Sequence, residues 1–200
     1  MDLIVATRNK KKLQEIKDLL KDFNIKVISL NDVGDAPHIE EDGNSFIENA
    51  IKKAATIAMF TKKLTLGEDS GLEVNALGNK PGIYSSRFSG KNANDKKNNL
   101  KLLRLLRNVP LKKRSAQYKC AVALVDGKKI IGVTQGSCKG LIGFHSKGKS
   151  GFGYDPLFII PKYNKTFAQL GLEIKHKMSH RARALKKIKA IISRYLEIYP

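Results

Sequence analysis

A mixed α/β domain is the fold class this chain predicts, spanning residues 1–200 as one unit. Short apolar runs alternate with amphipathic stretches at helical spacing, which places strands and helices in turn along the chain. Asp126-Gly127-Lys128 lies between two β-rich runs, a strong sign of a tight antiparallel hairpin. No repeat, long linker or low-complexity tail divides the sequence.

Asp2 to Ala6 is an apolar run that predicts a buried strand, and Thr7-Arg8-Asn9 a polar turn. A helix follows from Lys10, with Leu13, Ile16, Leu19, Leu20 and Phe23 at helical spacing. Lys26 to Leu30 predicts a second strand. Residues 31–43 form a loop carrying Pro37 and the acids Asp35, Glu40, Glu41 and Asp42. Ser45-Phe46-Ile47-Glu48 is a capping-box pattern that opens a long helix to about Lys62. Residues 65–75 read as short strands. Asn94 to Arg107 reads as a basic amphipathic helix with Leu100, Leu103 and Leu106 on its apolar face. Ala116–Val125 and Lys129–Ser137 are the hairpin arms, residues 140–156 are glycine-rich, and Leu157–Ile160 is another buried strand. Ser179 can cap a last helix to about Leu196, whose inner stripe is Ala182, Leu185, Ile188, Ile191 and Ile192.

Lys and Arg number 38 against 18 Asp and Glu, a formal net charge of +20. Such a balance suits a nucleic-acid binder. The lysines are dispersed rather than gathered in one stripe, which favours solvated helix faces, and nucleic acid is not a required partner. No apolar run is long enough to span a bilayer, and the N-terminus lacks the basic-then-apolar pattern of a secretory signal, so no membrane role is expected. The two cysteines, Cys120 and Cys138, lack metal-ligand spacing and read as reduced, buried thiols of a cytoplasmic protein.

Four stretches can carry chemistry. The most informative is Glu68-Asp69-Ser70-Gly71, an acidic pair running into a Ser-Gly turn. Carboxylates beside such a turn can hold a hard cation, and Mg²⁺ typically takes one or two of them plus substrate phosphates. Asp69 hydrogen-bonded to its own turn explains the pattern equally well. Glu40, Glu41 and Asp42 can converge on the same ion, or serve as favourable charge before the following helix.

The second stretch is Thr7, Arg8, Asn9, Lys10, Lys11 and Lys12, at a strand exit and helix entry. Free N–H groups and the helix dipole make that place an anion site, and three lysines there oppose the dipole unless a polyanion is bound. The plain alternative is a solvated basic turn. The third is Gly151-Phe152-Gly153-Tyr154-Asp155-Pro156. Its aromatics can stack on a base and its Asp can accept from ring nitrogens, or the aromatics belong to the core. It does not match a P-loop. The fourth is Lys175 to Arg181, which places His180 and Arg181 in the first turn of the last helix, where an electronegative ligand group is favoured.

Six motifs, in this order, resemble the inosine triphosphate pyrophosphatase family. They are Thr-x-Asn-x-x-Lys at 7–12, Ser-Phe-Ile-Glu-Asn-Ala at 45–50, Glu-Asp-Ser-Gly-Leu at 68–72, Pro-Gly-Ile-Tyr-Ser at 81–85, Gly-Phe-Gly-Tyr-Asp-Pro at 151–156 and Ser-His-Arg at 179–181. The resemblance implies a two-lobed α/β fold on a long mixed sheet with flanking helices, an active site in the interlobe cleft, and a homodimer. It implies Mg²⁺-dependent hydrolysis of ITP, dITP and XTP or dXTP to the monophosphate and pyrophosphate. By the same resemblance, Thr7 to Lys12 hold the triphosphate, Asp69 is general base and metal ligand, and Glu41 is the second metal ligand. Ser70 contacts substrate. Phe152, Gly153, Tyr154, Asp155, Lys175, His180 and Arg181 bind the nucleotide, mostly its base. A basic nucleic-acid-binding protein without catalysis, and a phosphatase of different cleavage position or base preference, are the competing readings.

Overall fold

The structure, a computed structural model, describes residues 1–199. In chain order its strands and α-helices are β1 (Asp2–Val5), α1 (Lys10–Leu20), β2 (Lys26–Ser29), α2 (Phe46–Thr61), β3 (Thr65–Val74), β4 (Lys80–Pro81), α3 (Asp95–Leu105), β5 (Ser115–Asp126), β6 (Lys129–Ile142), β7 (Phe158–Ile160), β8 (Lys165–Thr166), α4 (Phe167–Met178) and α5 (His180–Ile198). The strands form a mixed sheet in the order β2-β1-β3-β5-β6-β7-β8, with β4 paired to β3.

The chain divides into two compact units. One holds Met1–Asp69, Cys120–Gly136 and the segment from Arg181 onward; the other holds Ser70–Lys119 and Ser137–His180. Strands β3, β5 and β6 each contribute residues to both units.

In the first unit, β1 runs parallel to β2, with Ile4 opposite Ile28, and parallel to β3, with Val5 opposite Leu66. A strand with parallel neighbours on both sides is buried on both faces, which is why its sequence is an unbroken apolar run. Leu3 and Val5 pack with Ile16 and Leu20 of α1, with Leu66, Val122 and Leu124, and with Leu185, Ile188 and Ile192 of α5. Burying such side chains is worth roughly 1.5–3 kcal/mol each.

The second unit is antiparallel where β6, β7 and β8 meet. Its core gathers Leu72, Leu102, Leu106, Tyr118, Phe158 and Phe167. The predicted hairpin is present, with Gly127 at φ 57° in the left-handed region its tight loop requires.

Two expectations need correction. Residues 65–74 are one ten-residue strand, not several short ones. Gly67 looks like a break, but it meets a packing need: a Cβ there would stand 2.2 Å from the Ala50 carbonyl oxygen and 2.7 Å from the Ala54 nitrogen of α2. On α3 the buried residues are Asn98, Asn99 and Leu102, followed by Leu106, while Leu100 is 58% exposed. Of the leucines three apart, Leu106 is buried and Leu103 packs against the core, but Leu100 lies outside because Asn98 and Asn99 share the inner face. No helix among the described residues is long and apolar enough to cross a membrane.

Candidate active site

In the first unit the polar turn after β1 is organised by its own side chains. Asn9 caps α1, its Oδ1 accepting from the Lys11 and Lys12 N–H groups at 3.0 and 3.2 Å. Thr7 Oγ1 accepts from the Asn9 N–H at 3.2 Å, and Arg8 donates to the Ala36 carbonyl at 3.1 Å. No acid occupies the first turn of α1. Lys10 and Lys11 are exposed, so this helix end presents a cationic face. Lys12 is half-buried, 2.8 Å from Glu68 Oε2.

Helix α2 brings two polar side chains to the acidic pair of β3. Its buried face reads Phe46, Asn49, Ala50, Lys53, Ala54, Ile57 and Ala58. The alanines permit the close approach to Gly67, and that approach carries Asn49 and Lys53 to Asp69. Lys53 Nζ lies 2.8 Å from Asp69 Oδ1 and 2.5 Å from Glu41 Oε1, and Asn49 Nδ2 donates to Asp69 Oδ2 at 3.3 Å. Asn49 Oδ1 accepts from the Gly43 N–H at 2.9 Å and so ties down the acidic loop.

Burial raises the Asp69 carboxyl above the ordinary aspartate range, against the opposing pull of Lys53 and Lys12. Burial alone would lower Lys53, but the charges of Asp69 and Glu41 hold it above its usual value.

Glu68 faces a different partner set. It accepts from Arg181 at 3.0 Å, and Arg181 also pairs with Glu15 of α1. All three side chains are at most 5% exposed. Burial pushes the Cys120 thiol well up, and Glu68, 3.3 Å away, adds to the shift.

The second unit holds the other constellation. Asp155 accepts from Lys175 Nζ at 2.6 Å, from the Phe152 N–H at 2.9 Å and from the Tyr118 hydroxyl at 3.4 Å. The Lys175 ammonium also sits 4.4 Å from the centre of the Phe152 ring. His180 stacks on Tyr118, centroids 4.6 Å apart and planes 10° from parallel. Phe152 is half-buried, while Tyr154 turns into the core and donates to the Ser85 carbonyl at 2.9 Å. Gly153 adopts φ 61°. Ser70, half-buried, follows Asp69 on β3.

Within the first unit, then, Asp69 and Glu41 meet through Lys53, and Lys12 meets Glu68. Within the second, Phe152, Asp155 and Lys175 form one cluster with Tyr118 and His180. Sequence reasoning missed Asn49, Lys53, Glu15 and Tyr118. For Asn49 and Lys53 a signal existed: two polar residues set within the apolar stripe of an amphipathic helix.

Two carboxylates of the first unit supply oxygens of the kind a hard divalent cation takes. Among the described residues no group of three or more metal-ligating side chains gathers. Glu41 and Asp69 nevertheless converge on one positive charge, the Lys53 ammonium. A pair of carboxylates aimed at one point suits Mg²⁺, which completes its shell with water and phosphate oxygens.

Comparison with known proteins gives the family. The model of the Ham1 family matches residues 3–191. The dITP/XTP pyrophosphatase of Desulforamulus reducens is 47% identical over 194 residues, covering 97% of this chain and 96% of the relative. That of Clostridium tetani is 46% identical over 198 residues, covering 98% of each. Among solved structures, the HAM1 protein of Coxiella burnetii superposes with a TM-score of 0.88 at 37% identity, covering 97% of this chain and 99% of that one. The Staphylococcus aureus Ham1 protein does so at 0.86 and 36%, covering 98% and 100%. Matched along nearly its whole length by the family and its relatives, this chain belongs to the Ham1 family.

Proposed function

We propose that this chain hydrolyses the deaminated purine nucleoside triphosphates ITP, dITP and XTP or dXTP to the monophosphate and pyrophosphate, and so keeps them out of DNA and RNA. It acts as one catalytic domain of 200 residues, in a cytoplasmic homodimer, with Mg²⁺ as cofactor. The full-length relatives named dITP/XTP pyrophosphatase support the substrate class. The observation that carries the chemistry is the buried Asp69 carboxylate beside Lys53 and Glu41, in the same unit as the cationic turn Thr7–Lys12.

In this reading the Thr7–Lys12 turn binds the triphosphate through helix N–H groups, the Thr7 and Asn9 side chains and the lysines. Asp69 takes the proton from a water as that water attacks the α-phosphorus. The α–β anhydride bond breaks and pyrophosphate departs. A carboxyl raised by burial is a better base near neutral pH than an ordinary aspartate. Glu41 and Asp69 would hold Mg²⁺, which when bound offsets the phosphate charge. Phe152 and the Asp155–Lys175 pair form the base platform, and His180 and Arg181 supply donors for the 6-keto oxygen. A 6-amino purine would leave those donors unpaired, a mismatch that can discriminate by about 10⁴.

The test is product release from ITP, XTP, GTP and ATP by wild type and Asp69→Asn. Pyrophosphate from ITP and XTP alone is expected. The variant should lose activity by roughly 10²–10⁴ while staying folded by far-UV circular dichroism, because Lys53 keeps Glu41 as partner. Orthophosphate as the product, or full activity in Asp69→Asn, would overturn the assignment.

A further inference from the structure

The loop 151–155 is held from the side by helix α3. Gly153 donates its N–H to Asp95 Oδ2 at 2.8 Å, and its carbonyl accepts from Asn99 Nδ2 at 2.9 Å. Asp95 and Asn99 are four residues apart and so share one face of α3, one turn apart. Both polar groups of a single peptide-flanked residue are thus grasped by one rigid element. The grasped residue is the one in the left-handed region, at φ 61°, where the chain reverses between Phe152 and Asp155. A Cβ built on Gly153 meets nothing within 4 Å, so its geometry is not imposed by crowding. It is held by hydrogen bonds.

Asn99 is deeply buried, 8% exposed, although it lies on a helix whose other face is basic and solvated. Its Oδ1 is buried and makes no hydrogen bond among the described residues. The Gly153 carbonyl is therefore the polar group that its amide serves. The preceding residue of the helix is anchored too: Asn98 Nδ2 donates to the Ser85 and Ser86 carbonyls at 3.3 and 3.1 Å, and Tyr154 donates to the same Ser85 carbonyl at 2.9 Å. The loop is fixed at Gly153 by α3, at Tyr154 through Ser85, and at Asp155 by Lys175.

We propose that Asp95 and Asn99 are positioning residues for base recognition: by clamping both sides of Gly153 they set the Phe152 ring and the Asp155 carboxylate where a purine base is read. This rests on the proposed function, in which that loop meets the base. A loop with one backbone carbonyl released would sample other conformations, and the base would have to order it on binding. Recognition of the polyphosphate, assigned to the other unit, would be untouched.

The experiment compares kcat and KM for ITP with the inhibition constant of inorganic tripolyphosphate. Wild type, Asn99→Leu, Asp95→Ala and Asp95→Asn are measured, with Lys96→Ala as a surface control on the same turn. Asn99→Leu keeps the side-chain volume but leaves the Gly153 carbonyl unpaired, and KM for ITP should rise about 10-fold or more. Its kcat and tripolyphosphate inhibition should stay within about 2-fold of wild type. Asp95→Ala should raise KM less, because its bond is exposed, and Asp95→Asn should restore it, because an amide oxygen still accepts from the Gly153 N–H. If Asn99→Leu fails to fold, the Asp95 pair decides: an unchanged KM in Asp95→Ala, or no rescue in Asp95→Asn, overturns the proposal. So does an Asn99→Leu variant whose KM and tripolyphosphate inhibition weaken together. A wild type that releases no pyrophosphate from ITP overturns the functional reading itself, before any variant is compared.

Discussion

Arg181→Met tests the buried charge network most directly. The guanidinium is 1% exposed and lies between Glu15, 5% exposed, and Glu68, 0% exposed. Methionine roughly fills the volume but removes the only charge that both carboxylates share through this residue. Glu68 keeps Lys12 at 2.8 Å, whereas Glu15 loses its ion pair with Arg181. Breaking a buried pair by removing one member costs about 3–5 kcal/mol, and near-complete burial places this case toward the upper end. For a chain of this size that corresponds to a fall in Tm of roughly 6–20 °C, at about 2–4 °C per kcal/mol. Thermal melts followed by far-UV circular dichroism give the shift. A second variant, Arg181→Met with Glu15→Gln, separates charge from packing. Neutralising Glu15 should return a substantial part of the loss, because the pair is then replaced rather than broken. A single variant that melts within about 2 °C of wild type, or a double variant no better than the single, would refute the reasoning.

Two further outcomes follow from other buried groups. Tyr195 donates to Asp126 Oδ2 at 2.7 Å, and burial followed by that bond pushes its hydroxyl from 10.0 up to about 12. The folded protein therefore keeps a proton that the unfolded chain gives up between those values. The stability from this group is complete below pH 10.0 and is lost as pH climbs through about 12. The stability difference between wild type and Tyr195→Phe should narrow over that window in urea titrations; a constant difference would contradict it. Cys120 and Cys138 are both buried, and burial with Glu68 holds the Cys120 thiol well above its usual value. Native protein should take up no thiol reagent at pH 8, and both cysteines should label once the chain is unfolded in urea. Rapid labelling of the native state would count against the packing described.

Local signals made much of the architecture legible. The run Asp2–Ala6 reads as buried strand because both faces are covered, and Asp126-Gly127-Lys128 reads as hairpin because glycine supplies the positive φ. The site was legible where chemistry and spacing coincide, as at Glu68-Asp69 and in the basic turn. The partners of those residues were not. Lys53 meets Asp69 across 16 positions, and Arg181 meets Glu15 across 166. No local pattern encodes such pairs. The visible clue was an asparagine and a lysine among the buried apolar residues of α2, since a buried amide needs hydrogen bonds and a buried ammonium needs a carboxylate. On α3 the leucine spacing misled only at Leu100, because two asparagines, buried for their hydrogen bonds to turns, share the inner face.

With hydrogen for a side chain, Gly67 lets the main chain of α2 rest directly on β3. Side chains exchange rotamers, but two backbones in van der Waals contact have little room to adjust. The spacing between Lys53 and Asp69 is therefore gauged by main chain against main chain, at the Ala50 and Ala54 contacts that flank Lys53 on α2. Sequence drift can exchange the surrounding leucines and isoleucines and leave the distance unchanged, so long as position 67 carries no carbon beyond its own Cα.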